Sequence, residues 1–208
     1  MSQKDHTKRT YHHGDLAEAL IAATLEIVGE SGLHNLSMRE AAKRVGVSPA
    51  APFRHFATKK ALLTAVAENS MHKLWELMQR EMGGVEGDDP LTIVEAIGRG
   101  YIIFAIENPT HFRILSARPM IDFDASDTLV GLNLMVQERM TQELMRAKDL
   151  GILSMKMDIR EIVVGSRAMT YGLAGMVNDG HLRQWTLNGE ARDAVLALLH
   201  GFVEQFRA

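Results

Sequence analysis

The stretch that decides the fold is residues 37–48, which read SMREAAKRVGVS. Ser37 is a favourable residue immediately before a helix, and Glu40, three positions later, completes the pattern of a capping box. Apolar residues follow at helical spacing, and Gly46 is typical of the residue that ends a helix. The stretch therefore predicts a short helix that stops at a tight turn.

A second short helix is predicted directly after this turn. Ser48 stands at its N-cap position and Pro49 at its first position, where the missing N–H costs nothing. Pro52 falls in the first turn of this predicted helix, so we expect only a slight distortion there. Two short helices joined by residues 45–48 have the spacing of a helix-turn-helix, whose second helix enters the major groove of DNA.

A helical pattern extends outward from this motif in both directions. The 3.6-residue periodicity runs from Leu16 to the C-terminal end, and sustained period-2 alternation is absent, so the predicted fold class is all-α. Thr58 is the predicted N-cap of the helix that follows the motif. Besides the two short helices, the pattern predicts helices over residues 15–30, 59–82, 91–107, 110–117, 126–148, 159–178 and 190–206.

The strongest break in the first half of the chain is residues 83–90, GGVEGDDP. Clusters of glycine, aspartate and proline end helices and favour turns. We therefore expect three parts: residues 1–58 form a helix-turn-helix DNA-binding domain, residues 59–82 form a connecting helix, and residues 83–208 form a C-terminal helical domain.

The charges are unevenly distributed along the chain. The whole sequence has 23 Lys and Arg against 26 Asp and Glu, whereas residues 1–60 hold nine against six. A basic N-terminal part suits a polyanionic partner, although an excess this small is also what an ordinary solvated surface carries. Lys59 and Lys60 stand at a predicted helix N-terminus, where positive charge opposes the helix dipole, and a docked phosphate would make that arrangement favourable.

Several classes of protein are excluded by what the sequence lacks. The chain contains no cysteine, so disulfides, thiolate nucleophiles and Cys-ligated zinc are excluded. P-loop, Gly-x-Gly-x-x-Gly, Gly-x-Ser-x-Gly and His-Glu-x-x-His motifs are absent, so we predict neither an enzyme nor a cofactor. Asp122, Asp124 and Asp127 lack the glycine and distal glutamate of a calcium loop, and we predict no metal site. No apolar run is long enough to span a membrane and the polar start lacks a signal-peptide core, so we expect a cytoplasmic protein.

Residues 37–48, together with residues 53–56 (FRHF), Lys59 and Leu62, resemble the signature of the TetR family of transcriptional regulators. The resemblance covers residues 11–75. It implies a three-helix helix-turn-helix domain, followed by a C-terminal domain for ligand binding and dimerisation. It also implies a regulator, usually a repressor, that binds a palindromic operator on double-stranded DNA as a homodimer and is released by a small-molecule inducer.

The same resemblance implies which residues meet the DNA. Ser37 and Arg39 would approach the backbone or the groove edge, and Arg54 would contact a base or a phosphate. The family usually has a tyrosine that donates to a phosphate where this chain has Phe53, so only packing remains at that position. The implied DNA-binding residues are Ser37, Arg39, Ser48, Pro49, Ala50, Ala51, Phe53, Arg54, His55 and Lys59.

Two further stretches resemble one subset of the family. Residues 11–15, YHHGD, resemble the approach to its first helix, and their histidines either touch phosphates or are merely solvated. A Trp-x-x-x-His-Gly helix of that subset corresponds here to a helix with Arg167, Tyr171 and Gly172 at those positions. The glycine is kept, and the tryptophan and histidine are replaced.

The last predicted helix carries an apolar stripe. Such a stripe suits either the core of the chain or a partner helix. The resemblance implies the second, a homodimer through the last two helices. The stripe consists of Val195, Leu198, Leu199, Phe202 and Phe206.

A ligand pocket in the C-terminal part is indicated by its many methionines. Methionine suits adaptable apolar pockets, and it equally fills ordinary cores. The arginines among the candidates would meet an anionic ligand if they pointed inward. The candidate ligand-lining residues are Tyr101, Phe104, Phe112, Met135, Arg139, Arg167 and Tyr171.

One alternative function fits the same motif. A ligand-independent sequence-specific or architectural DNA-binding protein would share the helix-turn-helix and have a packed second domain without a pocket. Release from DNA by a small molecule would separate the two functions.

Overall fold

The computed structural model describes residues 13–154, 158–185 and 190–208. Over these ranges the chain forms eight α-helices and no β-strand, which confirms the predicted all-α fold class. The helices are α1 (His13–Ser31), α2 (Met38–Val45), α3 (Lys59–Gly83), α4 (Pro90–Glu107), α5 (Pro109–Ser116), α6 (Asp127–Asp149), α7 (Ile159–Asn178) and α8 (Ala191–Glu204).

Most helix ends lie within a few residues of their predicted positions. Helix α7 begins and ends at the predicted residues, and Thr58 caps α3 because its hydroxyl accepts the Ala61 N–H at 3.0 Å. Tyr11 and His12, in the stretch that resembles the family's approach to the first helix, lie outside the described residues.

The chain divides into two compact units, Met1–Val66 and Ala67–Ala208. The boundary falls inside α3, the helix that the sequence analysis treats as a connection between two domains. The first two turns of α3 therefore belong to the first unit and the rest to the second. The glycine-rich stretch 83–90 lies within the second unit.

In the first unit, α2 is held between a serine cap and a glycine cap. The Ser37 hydroxyl accepts the Glu40 N–H at 3.1 Å. Gly46 adopts the left-handed conformation, with φ 78° and ψ 29°, and its N–H and that of Val47 satisfy carbonyls of the last turn. Both ends of this short helix are thus set by the residues that the sequence pattern selects.

The second short helix of the motif differs from the prediction. Residues 49–51 form a turn, and Pro52–Arg54 form a single 3-10 turn. In an α-helix capped by Ser48, the first intrahelical hydrogen bond would come from the N–H of residue 52, and proline has none. The Ser48 carbonyl accepts instead from the Ala51 N–H at 3.0 Å. The expectation of a slightly distorted helix was therefore wrong, because Pro52 removes the bond that would start the helix.

The second unit is built around α4, which contacts α6, α7 and α8. Its apolar residues are buried on nearly every side, as expected for a helix at the centre of a bundle. Gly100 lets α4 approach the backbone of α3 closely, since a Cβ at this position would lie 2.8 Å from the Met78 Cα. None of the helices in the described ranges is both long and apolar enough to cross a membrane.

Candidate nucleic-acid interface and ligand cavity

The exposed surface of the helix-turn-helix is formed mainly by the segment 48–55. The side chains of Ser48, Pro49 and Ala50 are exposed, and Ala51 is half-buried. The segment packs through its 3-10 turn against α1 and α2. Pro52 is the buried residue of this turn. The turn thus presents small side chains to solvent on a fixed base.

Phe53 and Arg54 are the two large side chains exposed on this segment. The Phe53 side chain is 52% exposed. Both belong to the 3-10 turn, in which the Arg54 N–H donates to the Ala51 carbonyl at 3.2 Å. The next residue, His55, is half-buried. An arginine and an aromatic ring at one exposed turn suit contact with bases and phosphates.

At the other end of α2 stand two more of the residues implied to meet DNA. Ser37 and Arg39 are both exposed. The Ser37 hydroxyl is already engaged as the helix cap. Arg39 provides the positive charge at this helix end, about 10 Å along the axis from Gly46.

Lys59 has a structural partner within the first unit. Its ammonium donates to the Leu33 carbonyl at 3.1 Å, and the residue is half-buried. This hydrogen bond gives an intramolecular reason for a lysine at the start of α3. A phosphate contact from Lys59 would have to share the ammonium with that carbonyl.

Arg44 joins α2 to α1 and is not one of the residues implied to meet DNA. Its guanidinium binds Glu30 through two hydrogen bonds of 2.8 and 2.9 Å and Glu26 through one of 3.2 Å. These bonds hold the pKa of the Glu30 carboxyl below its usual value. The pairing fixes how α1 supports the motif.

The second unit contains a cavity of about 370 Å³. Residues of α3, α4, α6, α7 and α8 line it, together with Leu115, Arg118 and Phe123 from the stretch between α4 and α6. This volume lies within the range of small-molecule sites. Most of the wall is apolar, and Met71, Met78 and Met140 are its buried methionines.

Polar groups gather where Tyr101, Arg118, Asn133 and Arg167 line the cavity. The Arg167 guanidinium donates to the Asn133 side-chain oxygen at 2.7 Å. The Arg118 guanidinium lies 3.1 Å from the centre of the Phe123 ring. Burial and then the charge of Arg167 lower the pKa of Arg118. Burial raises the pKa of Tyr101 to about 12, although Arg167 and Arg118 act in the opposite direction.

Ser166 is an unsatisfied polar residue in the cavity wall. It is 4% exposed, and its hydroxyl has no hydrogen-bond partner among the described residues. Buried hydroxyls are normally paired, because an unpaired one loses its hydration without compensation. A bound polar group would satisfy it.

Of the seven residues predicted to line a ligand pocket, Tyr101 and Arg167 line this cavity. Phe104 and Phe112 are buried in the core, where Phe112 packs edge-on against the Tyr101 ring at 6.2 Å. The other three fall outside the cavity for other reasons: Met135 and Tyr171 are exposed, and Arg139 pairs with Glu143 at 2.8 Å.

The sequence analysis did not single out Arg118, Asn133 or Ser166 as site residues. Arg118 lies in a 3-10 turn, where no periodicity shows which way a side chain points. Asn133 and Ser166 occupy ordinary helical positions, so only the packing of α6 against α7 reveals them. Arg167 gave the one usable signal, because it is a charged residue within the stretch 162–178 of α7, whose other residues are uncharged.

An exposed apolar face runs along α7 and α8. Val164, Tyr171 and Leu198 are 66%, 48% and 40% exposed, and small residues such as Gly172 and Gly201 lie exposed on the same helices. The residues of the predicted apolar stripe of α8 therefore do not all share one environment. Leu198 faces outward and Phe202 is half-buried, whereas the core of the unit takes Val195, Leu199 and Phe206.

In the described part of the chain, no group of three or more His, Asp or Glu side chains is placed to hold a metal ion.

The chain is similar to known proteins at two levels. Residues 20–66 match the family model described as "Bacterial regulatory proteins, tetR family". The HTH-type transcriptional regulator BetI of Yersinia pestis (strain Pestoides F) is 32% identical over 83 residues, which are 40% of this chain and 42% of that protein. The chain thus matches less than half the length of this curated relative.

Solved structures share the fold over nearly the whole length. A protein with unknown function from Rhodococcus sp. RHA1 has a TM-score of 0.78 at 23% identity and covers 97% of this chain and 100% of its own. A putative TetR-family transcriptional regulator from Rhodococcus sp. has a TM-score of 0.72 at 19% identity and covers 92% and 98%. The capped α2, the exposed turn after Gly46 and the matched residues 20–66 lead to one conclusion: this part of the chain is a helix-turn-helix domain similar to that of the bacterial regulatory proteins of the tetR family.

Proposed function

We propose that this protein is a transcriptional regulator that binds double-stranded DNA through its helix-turn-helix and is released from DNA by a small molecule. The observation that carries the proposal is the exposed segment 48–54, held on a glycine-capped α2 within the family-matched region. The relative BetI is itself an HTH-type transcriptional regulator. Repression from a palindromic operator, in the cytoplasm, is the mode that the family resemblance implies.

The experiment that tests DNA recognition is selection from random duplex DNA. The purified full chain is expected to enrich a palindromic sequence. A variant that carries both Arg39→Ala and Arg54→Ala is expected to enrich none. Failure of the intact protein to enrich any sequence, in repeated rounds at low salt, would contradict the proposal.

Arg54 and Arg39 are expected to contribute differently to binding. Arg54→Ala should weaken binding to the selected site by about 1–3 kcal/mol and relax base preference at one position. Arg39→Ala should weaken all sequences alike and reduce the salt dependence of binding by about one phosphate contact. Fluorescence anisotropy titrations at several salt concentrations measure both effects. Arg39 is chosen over Lys59 because the Lys59 ammonium already has a protein partner.

A matched control for these two arginines is Lys148→Ala. This change also removes one exposed positive charge, but from α6 in the second unit. Binding should stay within about twofold of the unchanged protein. Equal losses for Arg54→Ala on the selected site and on random DNA would contradict base readout by Arg54.

The exposed Phe53 offers a gain-of-binding prediction. Phe53→Tyr adds a hydroxyl where the family usually has a tyrosine that donates to a phosphate. We expect tighter binding by about 1 kcal/mol, the net value of one hydrogen bond. Anisotropy on the selected duplex measures the change, and urea unfolding checks that stability is unchanged. A weaker or unaltered affinity would show that this ring does not face a phosphate.

The exposed face of α7 and α8 supports a homodimer through these helices. Small residues permit close helix approach, and Val164, Tyr171 and Leu198 supply apolar area. A twofold dimer would match a palindromic operator. The cavity in the second unit favours a ligand-responsive regulator over the ligand-independent DNA-binding protein, which would need no such space.

A further inference from the structure

We propose that the cavity of the second unit binds an amphiphilic organic acid. Its carboxylate would lie between Arg118 and Arg167, and its apolar body would lie along the methionine wall, which is formed by Met71, Met78 and Met140. This inference rests on the proposed function for its biological meaning, because it names the class of the releasing ligand. The binding event itself is a separate claim and is tested without DNA.

The charge of the lining selects an anion. Arg118, Arg160 and Arg167 line the cavity, and within the described ranges no Asp or Glu does. Neither Arg118 nor Arg167 forms an ion pair with a carboxylate of the described residues. Asp124 partly offsets the charge of Arg118 without bonding to it. The two guanidiniums repel each other, and a bound anion would remove that repulsion.

The hydrogen-bonding groups favour a compact oxyanion head. Tyr101 lines the same cavity, and its phenol is protonated at neutral pH, as tyrosine normally is. Protonated, it can donate to a carboxylate oxygen. Arg167 is held in place by Asn133 at 2.7 Å, so one partner is already oriented before the ligand arrives. The unpaired Ser166 hydroxyl supplies one more donor in the wall.

The apolar end of the cavity lies one helix segment away. Val94 precedes Tyr101 by seven residues on α4, and Met140 follows Asn133 by seven residues on α6. Seven residues of α-helix advance about 10 Å. Leu199 and Val203 of α8 complete this part of the wall with under 3% of their surface exposed. The occupant is therefore a molecule with one charged end and an apolar body about 10 Å long.

The test is isothermal titration of the full chain with sodium decanoate. Decan-1-ol and decyltrimethylammonium share the chain length and replace the charge by none or by a positive one. We expect decanoate to bind once per chain and at least ten times more tightly than either analogue. Equal affinity for decan-1-ol would overturn the inference, and so would tighter binding of decyl phosphate, which would assign the head to a phosphate.

Two variants place the carboxylate, and a third provides the matched control. Arg118→Gln and Arg167→Gln should each weaken decanoate binding at least tenfold. Lys148→Gln also removes one exposed positive charge from the second unit, but Lys148 lies on α6 outside the cavity lining, so this change should alter the affinity less than threefold. All three side chains are exposed, so we expect each variant to fold normally. Thermal unfolding checks this. Equal losses in all three variants would indicate general charge attraction and overturn the placement.

Failure of the inference differs from failure of the proposed function. Tight decanoate binding with no effect on a DNA complex leaves the cavity assignment intact and contradicts ligand release. Specific DNA binding by a chain that ignores decanoate and its homologues supports the regulator and overturns the assigned ligand class. The two measurements therefore give separate answers.

Discussion

Gly100→Ala is expected to destabilise the second unit by about 1–3 kcal/mol, the usual cost of overpacking a core. The added Cβ would lie 2.8 Å from the Met78 Cα and 3.1 Å from the Met78 nitrogen. Both atoms belong to the backbone of a helix, so no side chain can rotate away to make room. Helices α3 and α4 would have to move apart, and the contacts that they share would loosen.

Tryptophan fluorescence measures this effect selectively. Trp75 and Trp185 are the only tryptophans of the chain, and both lie in the second unit. Urea unfolding followed by fluorescence therefore reports on that unit. Gly131→Ala is the matched control, because a Cβ at this position in α6 meets nothing within 4 Å. The control should be neutral or stabilise by up to about 1 kcal/mol. A Gly100→Ala protein as stable as the control would contradict the close approach of α3 and α4.

Leu198→Arg is expected to convert the proposed dimer to a monomer. Leu198 is 40% exposed on α8, among small residues that would lie against a second copy. An arginine there brings two charges together across a twofold axis and buries them without partners. Light scattering after size-exclusion chromatography measures the change in mass. Affinity for a palindrome should fall at least about 100-fold, because each half-site is then bound independently.

The control for this variant is the same substitution at Leu150. That residue is 60% exposed and follows the end of α6, so it belongs to neither α7 nor α8. Leu150→Arg should leave both mass and operator affinity unchanged. Leu198→Arg protein that still runs as a dimer would move the proposed interface elsewhere.

The ends of α2 in the first unit could be predicted from the sequence, because helix caps depend on neighbouring residues. Ser37 and Gly46 determine both ends of α2 through bonds made within a few residues, so a single chain carries the full signal. Pro52 lies in the same part of the chain, but there the prediction of a slightly distorted α-helix was wrong. The bond that it removes is the first of the expected helix, and its loss turns the segment into tight turns.

The cavity could not be predicted in the same way. Tyr101, Asn133 and Arg167 are more than thirty residues apart along the chain and meet only because α4, α6 and α7 pack together. Periodicity identifies the buried face of a helix but not which gaps between helices stay unfilled. Phe104 and Arg139 show the consequence: an aromatic residue and an arginine of the expected types lie nearby and take no part in the lining.

The methionine wall also sets how selective such a site can be. Met71, Met78 and Met140 are long, unbranched side chains that change shape at low energetic cost. The end of the cavity with Arg118 and Arg167 would then select ligands by charge. The methionine wall would accept apolar chains of different length and branching. A sensor built in this way answers to a homologous series of acids, and its biological response is decided by which member the cell accumulates.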